Sequence, residues 1–125
     1  MIGKSVPRVD AYEKVTGRAK FTDDMILDKC LVAKVCHATI GNGIVKSIDT
    51  SEAEALDGVV KVVTFKDVPN HCYPTPGHPW SVELAHQDVA DRNLLTGRVR
   101  YYGDDIAAVV AEDEVTASRA LKLIK

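Results

Sequence analysis

Apolar and polar positions fall in short runs of strand length, and two of these runs are followed by a helical pattern. Ile106-Ala107-Ala108-Val109-Val110-Ala111 is unbroken by polar residues, the pattern of a strand buried on both faces. Glu112 and Asp113 turn the corner. Residues 114–125 then place Ala117, Ala120, Leu121 and Ile124 on one helical face, with Asp113 as N-cap. An earlier stretch repeats the design. Residues 44–48 alternate as a half-buried strand, 51–56 predict a short helix, Asp57-Gly58 a turn and 59–64 a return strand. Ser51 and Glu54 have capping-box spacing, Ala53 and Leu56 point inward, and Gly58 stands where a left-handed C-terminal cap is needed. The second unit reaches no return strand. The helix ending on Ile124 without a cap therefore predicts a chain cut before its final strand, with an apolar stripe or a sheet edge left uncovered.

Elsewhere the pattern is less regular. Cys30-Leu31-Val32-Ala33-Lys34-Val35-Cys36-His37-Ala38 predicts a strand and Gly41-Asn42-Gly43 a tight turn. Arg98-Val99-Arg100-Tyr101-Tyr102 predicts a short strand before Gly103. In residues 1–28, Val9, Tyr12, Val15 and Phe21 are too scattered for one face of a helix or strand, so an extended N-terminal segment is expected. Residues 69–93 form a long irregular stretch with three prolines between 74 and 79, three histidines and the only tryptophan, Trp80. Connections longer than roughly 12–15 residues are usually functional, disordered or used for docking, and with its prolines and Trp80 the stretch 71–80 is expected to be a docking surface. The sum is an α+β domain over residues 29–125, a mixed sheet of about five strands with two or three helices, preceded by the segment 1–28.

Composition narrows the function class. The chain has 125 residues, 46% hydrophobic and 27% charged, and a net charge of −2 with Lys and Arg scattered. A nucleic-acid footprint needs a basic cluster, which is missing. No apolar run approaches the roughly 20 residues of a membrane span. The opening Met-Ile-Gly-Lys-Ser-Val-Pro has no apolar h-region, and a cytoplasmic protein is expected. Three cysteines, Cys30, Cys36 and Cys72, are then expected as reduced thiols.

No candidate for chemistry has motif-grade spacing. His71, Cys72, His78 and His86 are four possible metal ligands, but two are adjacent and the gaps match no zinc pattern, so a surface or subunit contact is the simpler reading. Cys36 and His37 are neighbours on a predicted strand and point to opposite faces, which disfavours a nucleophile–base pair; a small buried thiol is the simpler reading. His71 and Cys72 offer only the same adjacency. Gly41-Asn42-Gly43 and Tyr102-Gly103-Asp104-Asp105 open no helix toward an anion. Asp23-Asp24 and Asp104-Asp105 read as solvated turns. Trp80 beside Pro79 suits a loop anchor against a partner better than a ligand platform. Residue spacing alone supports no catalytic, cofactor-binding or metal position.

Three blocks together carry a resemblance. Arg8-Val9-Asp10-Ala11-Tyr12-Glu13-Lys14-Val15-Thr16-Gly17-Arg18-Ala19-Lys20-Phe21-Thr22-Asp23-Asp24 resembles the opening of the molybdenum-binding subunit of xanthine dehydrogenases and aldehyde oxidases. The pattern there is Arg, an acidic residue, Lys-Val-Thr-Gly-x-Ala-x-aromatic, then Asp. Residues 48–62 resemble the next block, through Ile48-Asp49-Thr50-Ser51, Ala53, Ala55-Leu56, Gly58-Val59-Val60 and Val62. Residues 99–111, with Ala117 and Ala120, resemble the third. The chain departs from the pattern at Asp104, where glutamine is common, and at 38–43, which replace a Ser-Pro-His-Ala-x-Ile approach.

The resemblance implies the a/b hammerhead domain, N-terminal in that subunit and α+β in fold, truncated here before a strand resembling Val-x-Val-x-Tyr. It implies a parent enzyme that hydroxylates a heterocycle or aldehyde with water-derived oxygen. It also implies a molybdopterin-type molybdenum cofactor in the parent, with iron–sulfur centres and FAD on partner domains or subunits. The family's cofactor segments and catalytic glutamate match none of these residues, so the fragment itself is expected to be non-catalytic. The alternative is a free-standing interaction or scaffold domain without activity.

Overall fold

The computed structural model describes residues 2–25, 29–74, 83 and 90–125. The chain divides into two compact units, residues 1–30 and 31–125.

The first unit contains a one-turn helix α1 (Ala11–Val15) and a 3₁₀ turn (Thr22–Asp24), where an extended segment was expected. The scattered apolar residues do not drive α1, since none of its residues is buried. Local capping holds it. Gly17 adopts φ +69°, and the amide of Arg18 returns to the carbonyl of Glu13 at 2.8 Å. That is a Schellman-type ending, and it needs the left-handed residue that glycine supplies. Lys14 pairs with Asp10 at 2.7 Å, and the Arg18 guanidinium lies 5.8 Å from the Tyr12 ring centre.

The second unit is built on strands β1 (Val32–His37), β3 (Val59–Thr64) and β7 (Asp105–Ala111), in the order β1-β7-β3 with both pairings antiparallel. The apolar run 106–111 is therefore the central strand, as its lack of polar positions implies. Ala107, Val109 and Ala111 are fully buried. Helices α2 (Ser51–Glu54) and α3 (Glu114–Leu121) close a core of Ala53, Val62, Val109 and Ala120, with Leu56, Val59, Leu121, Leu123 and Ile124 packed around it. Small residues on α3 let the helix approach the sheet closely: Ala117 and Ala120 have no exposed surface. The remaining strands form two antiparallel ribbons, β2 (Gly43–Ile44) with β6 (Arg98–Val99) and β4 (Tyr73–Pro74) with β5 (Ala90–Arg92). The fold class is α+β as expected, but the described strands are all antiparallel and split into three groups instead of one mixed sheet.

Several local expectations hold. Asp113 caps α3, its carboxylate accepting the Thr116 amide at 2.9 Å. Gly58 sits at φ +84° before β3. Others are corrected. Ser51 and Glu54 form no capping box. Asp49 accepts both the amide and the hydroxyl of Ser51, and Glu54 instead accepts the Thr50 hydroxyl at 2.8 Å. The strand expected over 44–48 ends at Ile44, after which the Val45 amide is taken by the Gly97 carbonyl. The helix expected to run to 125 ends at Leu121. Residues 122–125 turn back, and Lys125 exchanges two backbone hydrogen bonds with Asp49. The apolar stripe of α3 is thereby covered: Leu121, Leu123 and Ile124 pack on the core.

Candidate functional site

The described residues singled out for chemistry serve different partners. Cys36 is half-buried on β1, and burial pushes its thiol above the ordinary cysteine value. Its neighbour His37 is exposed and pairs through Nδ1 with the Asp105 carboxylate at 2.8 Å, across a register shift between β1 and β7. This pair joins residues far apart in sequence, and no short-range motif announces it. Asp105 therefore faces β1. Asp104 is buried and accepts the Arg100 amide at 3.0 Å. The two neighbouring carboxylates serve different partners and make no acid/base dyad. Asp24 is also structural, accepting the Phe21 amide at 3.0 Å.

Cys72 is exposed, and its thiol donates to the Asn93 side chain at 3.1 Å. Asn93 in turn donates to Asn70 at 2.8 Å, so these side chains tie the two ends of the long connection together beside the β4–β5 ribbon. Among the described residues no three His, Cys, Asp or Glu side chains converge as a metal site. His78, His86 and Trp80 lie outside the described residues, as does most of the expected 71–80 docking stretch.

The two glycine turns, which open no helix toward an anion, have structural roles. Asn42 accepts from the Arg98 guanidinium at 2.6 Å, and the Gly43 carbonyl accepts from the same nitrogen at 2.9 Å. Gly43 also lies under Ile40: a Cβ there would meet the Ile40 Cδ1 at 2.6 Å. The segment 101–104 is a tight turn with Gly103 at φ +92°. Ala38 locks it by donating to the Asp104 carbonyl at 2.8 Å and accepting from Gly103 at 2.9 Å. Tyr101 and Tyr102 project from this turn, 41% and 73% exposed. The Arg92 guanidinium stacks 4.6 Å from the Tyr101 ring centre, and Arg100 pairs with Asp91 at 2.9 Å.

A recess of about 200 Å³ beside β3 is lined by Glu54, Val59, Val60, Lys61 and Val62. Three of its five lining residues are valines, and Glu54 and Lys61 add one carboxylate and one ammonium group. A pterin needs a dense set of hydrogen-bond partners along its edges, and this donor set does not fit one. Arg92, Arg100, Tyr101 and Tyr102 thus give the described residues an aromatic, arginine-bearing flank. No helix among them is long and apolar enough to cross a membrane.

The pattern of these residues has clear counterparts. Residues 16–125 match the model of the aldehyde oxidase and xanthine dehydrogenase a/b hammerhead domain. The chain is 44% identical over 117 residues to the xanthine dehydrogenase molybdenum-binding subunit of Escherichia coli O157:H7, which covers 94% of this chain and 16% of that protein. It is 32% identical to the nicotinate dehydrogenase large molybdopterin subunit of Eubacterium barkeri, covering 99% of this chain and 27% of that one. Among solved structures, the aldehyde oxidoreductase of Desulfovibrio desulfuricans ATCC 27774 superposes with a TM-score of 0.79 at 34% identity, over 98% of this chain and 14% of the other. The chain therefore spans about a sixth of the length of the first of these relatives.

Proposed function

This chain belongs to the a/b hammerhead domain family of aldehyde oxidases and xanthine dehydrogenases, and we propose that it is the N-terminal structural module of a molybdopterin-binding subunit. The parent in this reading is a xanthine dehydrogenase-type oxidoreductase that hydroxylates a heterocycle or aldehyde with oxygen from water. The observation that carries it is the 44% identity to a molybdenum-binding subunit along 94% of the chain.

The recess beside β3 offers no donor set that fits a pterin, which supports placing the molybdenum cofactor in the rest of the parent. The cofactor supplies the redox and oxygen-transfer chemistry when bound. Residues 29–125 form the hammerhead body and 1–28 lead into it. Iron–sulfur and FAD groups reside on companion domains or subunits, and the assembly is cytoplasmic.

The test is expression of the parent subunit with its companions, followed by molybdenum and pterin analysis and assays with purines, N-heterocycles and aldehydes. Stoichiometric molybdenum with oxidation of one of these classes is expected, while the 125-residue chain alone stays free of pterin and inactive. Stoichiometric pterin in the isolated chain, or a parent that takes up no molybdenum, overturns the reading.

A further inference from the structure

Tyr73, Tyr101, Tyr102, Arg92, Arg98 and Arg100 gather on one flank of the second unit. Their continuity follows from direct relations. Tyr73 is opposite Arg92 in the β4–β5 ribbon. Arg92 stacks on Tyr101, which precedes Tyr102. Arg98 ties the β6 strand to the 42–43 turn, and Arg100 is held by Asp91. The flank thus carries three of the chain's four tyrosines and three of its six arginines.

Its composition departs from the rest of the surface. Segments 38–44, 70–74 and 90–104 contain no lysine and no glutamate, although the chain has ten lysines and six glutamates. Depletion of lysine and glutamate with enrichment of tyrosine and arginine is the signature of a protein–protein contact, not of a solvated face. Large apolar side chains on the same segments stand in water: Ile40, Ile44 and Leu94 are 53%, 71% and 59% exposed. The Tyr102 turn is also preorganised, since Gly103, Asp104 and Ala38 fix its backbone through hydrogen bonds. A rigid aromatic loses little conformational entropy on burial, which favours it as an anchor.

We propose that this tyrosine–arginine flank is the face on which the remainder of the parent subunit packs, with Tyr102 inserted as its anchor. The inference rests on the reading of the chain as a module of a longer molybdenum-binding subunit. The occupant is the parent's own polypeptide because this chain spans only 16% of the length of its molybdenum-binding relative, leaving a large covalently tethered partner at high effective concentration.

Hydroxyl-radical footprinting with mass-spectrometric readout tests this. Labelling of Tyr101 and Tyr102 is measured in the folded 125-residue chain, in the full parent subunit alone and in the parent with its companions; pterin content is measured on the same parent samples. The expected result is loss of Tyr102 labelling in the parent subunit alone. Tyr102→Asp should leave the melting temperature of the 125-residue chain unchanged and lower that of the parent, and Tyr102→Phe should restore the parent. Equal labelling of Tyr102 in chain and pterin-loaded parent overturns the inference while the functional reading stands. Protection that arises only when companion subunits are added also overturns it, because the occupant is then another chain. A parent without pterin removes the functional reading and this inference with it.

Discussion

The backbones of Asp49 and Lys125 hydrogen-bond to each other in both directions, the Asp49 amide to the Lys125 carbonyl at 2.8 Å and the Lys125 amide to the Asp49 carbonyl at 3.0 Å. The Lys125 ammonium also pairs with Glu52, which raises its pKa above the ordinary lysine value. Residues 46–49 and 122–125 are thus clasped across the end of α3, with Leu123 and Ile124 drawn onto the core.

That clasp makes Ile124 a packing residue. Ile124→Ala removes part of a side chain that is only partly buried, and a loss of about 1–2 kcal/mol is expected. Chemical denaturation of the variant and the parent sequence measures it. An unchanged midpoint would mean that the 122–125 segment is not docked.

Gly58 has two reasons to be glycine. Its φ is +84°, and a Cβ there would lie 3.2 Å from the Thr116 Cγ2. Gly58→Ala is expected to cost about 1–2 kcal/mol through left-handed strain and crowding against α3. The double variant with Thr116→Ser should recover only the crowding part. Full recovery in that cycle would show that backbone conformation contributes nothing.

Acid should weaken the fold through its capping carboxylates. Hydrogen bonds from the Thr116 hydroxyl and amide hold the Asp113 carboxyl below the ordinary aspartate value of 3.8, and Ser51 does the same for Asp49. A depressed native pKa means that the unfolded chain binds protons first as pH drops. The stabilisation is therefore complete above pH 3.8 and is lost as pH falls from there through the lower native values. Melting temperatures measured from pH 6 to about pH 2 should fall most steeply at the acidic end, the carboxylate range. Asp113→Asn should flatten that fall, and an identical profile for the variant would contradict the assignment.

The three thiols should react at two rates. Cys30 and Cys72 are exposed, whereas Cys36 is half-buried and desolvation raises its pKa, which lowers its thiolate fraction at neutral pH. Titration of the native chain with a thiol reagent is expected to show two fast equivalents and one slow one, and denaturant should merge the phases. Three equal rates would place Cys36 at the surface.

Much of this molecule was legible in the chain itself. The unbroken apolar run 106–111 marks the central strand, since a strand flanked on both sides has no face to give to polar residues. Asp113 and Gly58 mark helix and strand boundaries because capping and left-handed turns are satisfied by neighbours a few residues away. The same local chemistry shapes Gly17, although the apolar pattern around it concealed the one-turn helix that it ends. The family blocks at 8–24, 48–62 and 99–111 are likewise contiguous.

The tertiary structure decided what depends on residues far apart in sequence. Alternation over 44–48 predicts a strand of five, but a strand lasts only while a partner's amides and carbonyls are in register. The Val45 amide still reaches the Gly97 carbonyl in that register, but the next backbone pairing along the segment is Asp49 with Lys125, not with β6. The capping spacing of Ser51 and Glu54 is real, yet Asp49 is better placed to accept from Ser51, so the box never forms. The His37–Asp105 pair exists because β1 and β7 run antiparallel with a shift at Cys36. The tyrosine–arginine flank exists because two ribbons bring residues 38–44, 70–74 and 90–104 together, and ribbon register is a property of paired strands that no single stretch of sequence specifies.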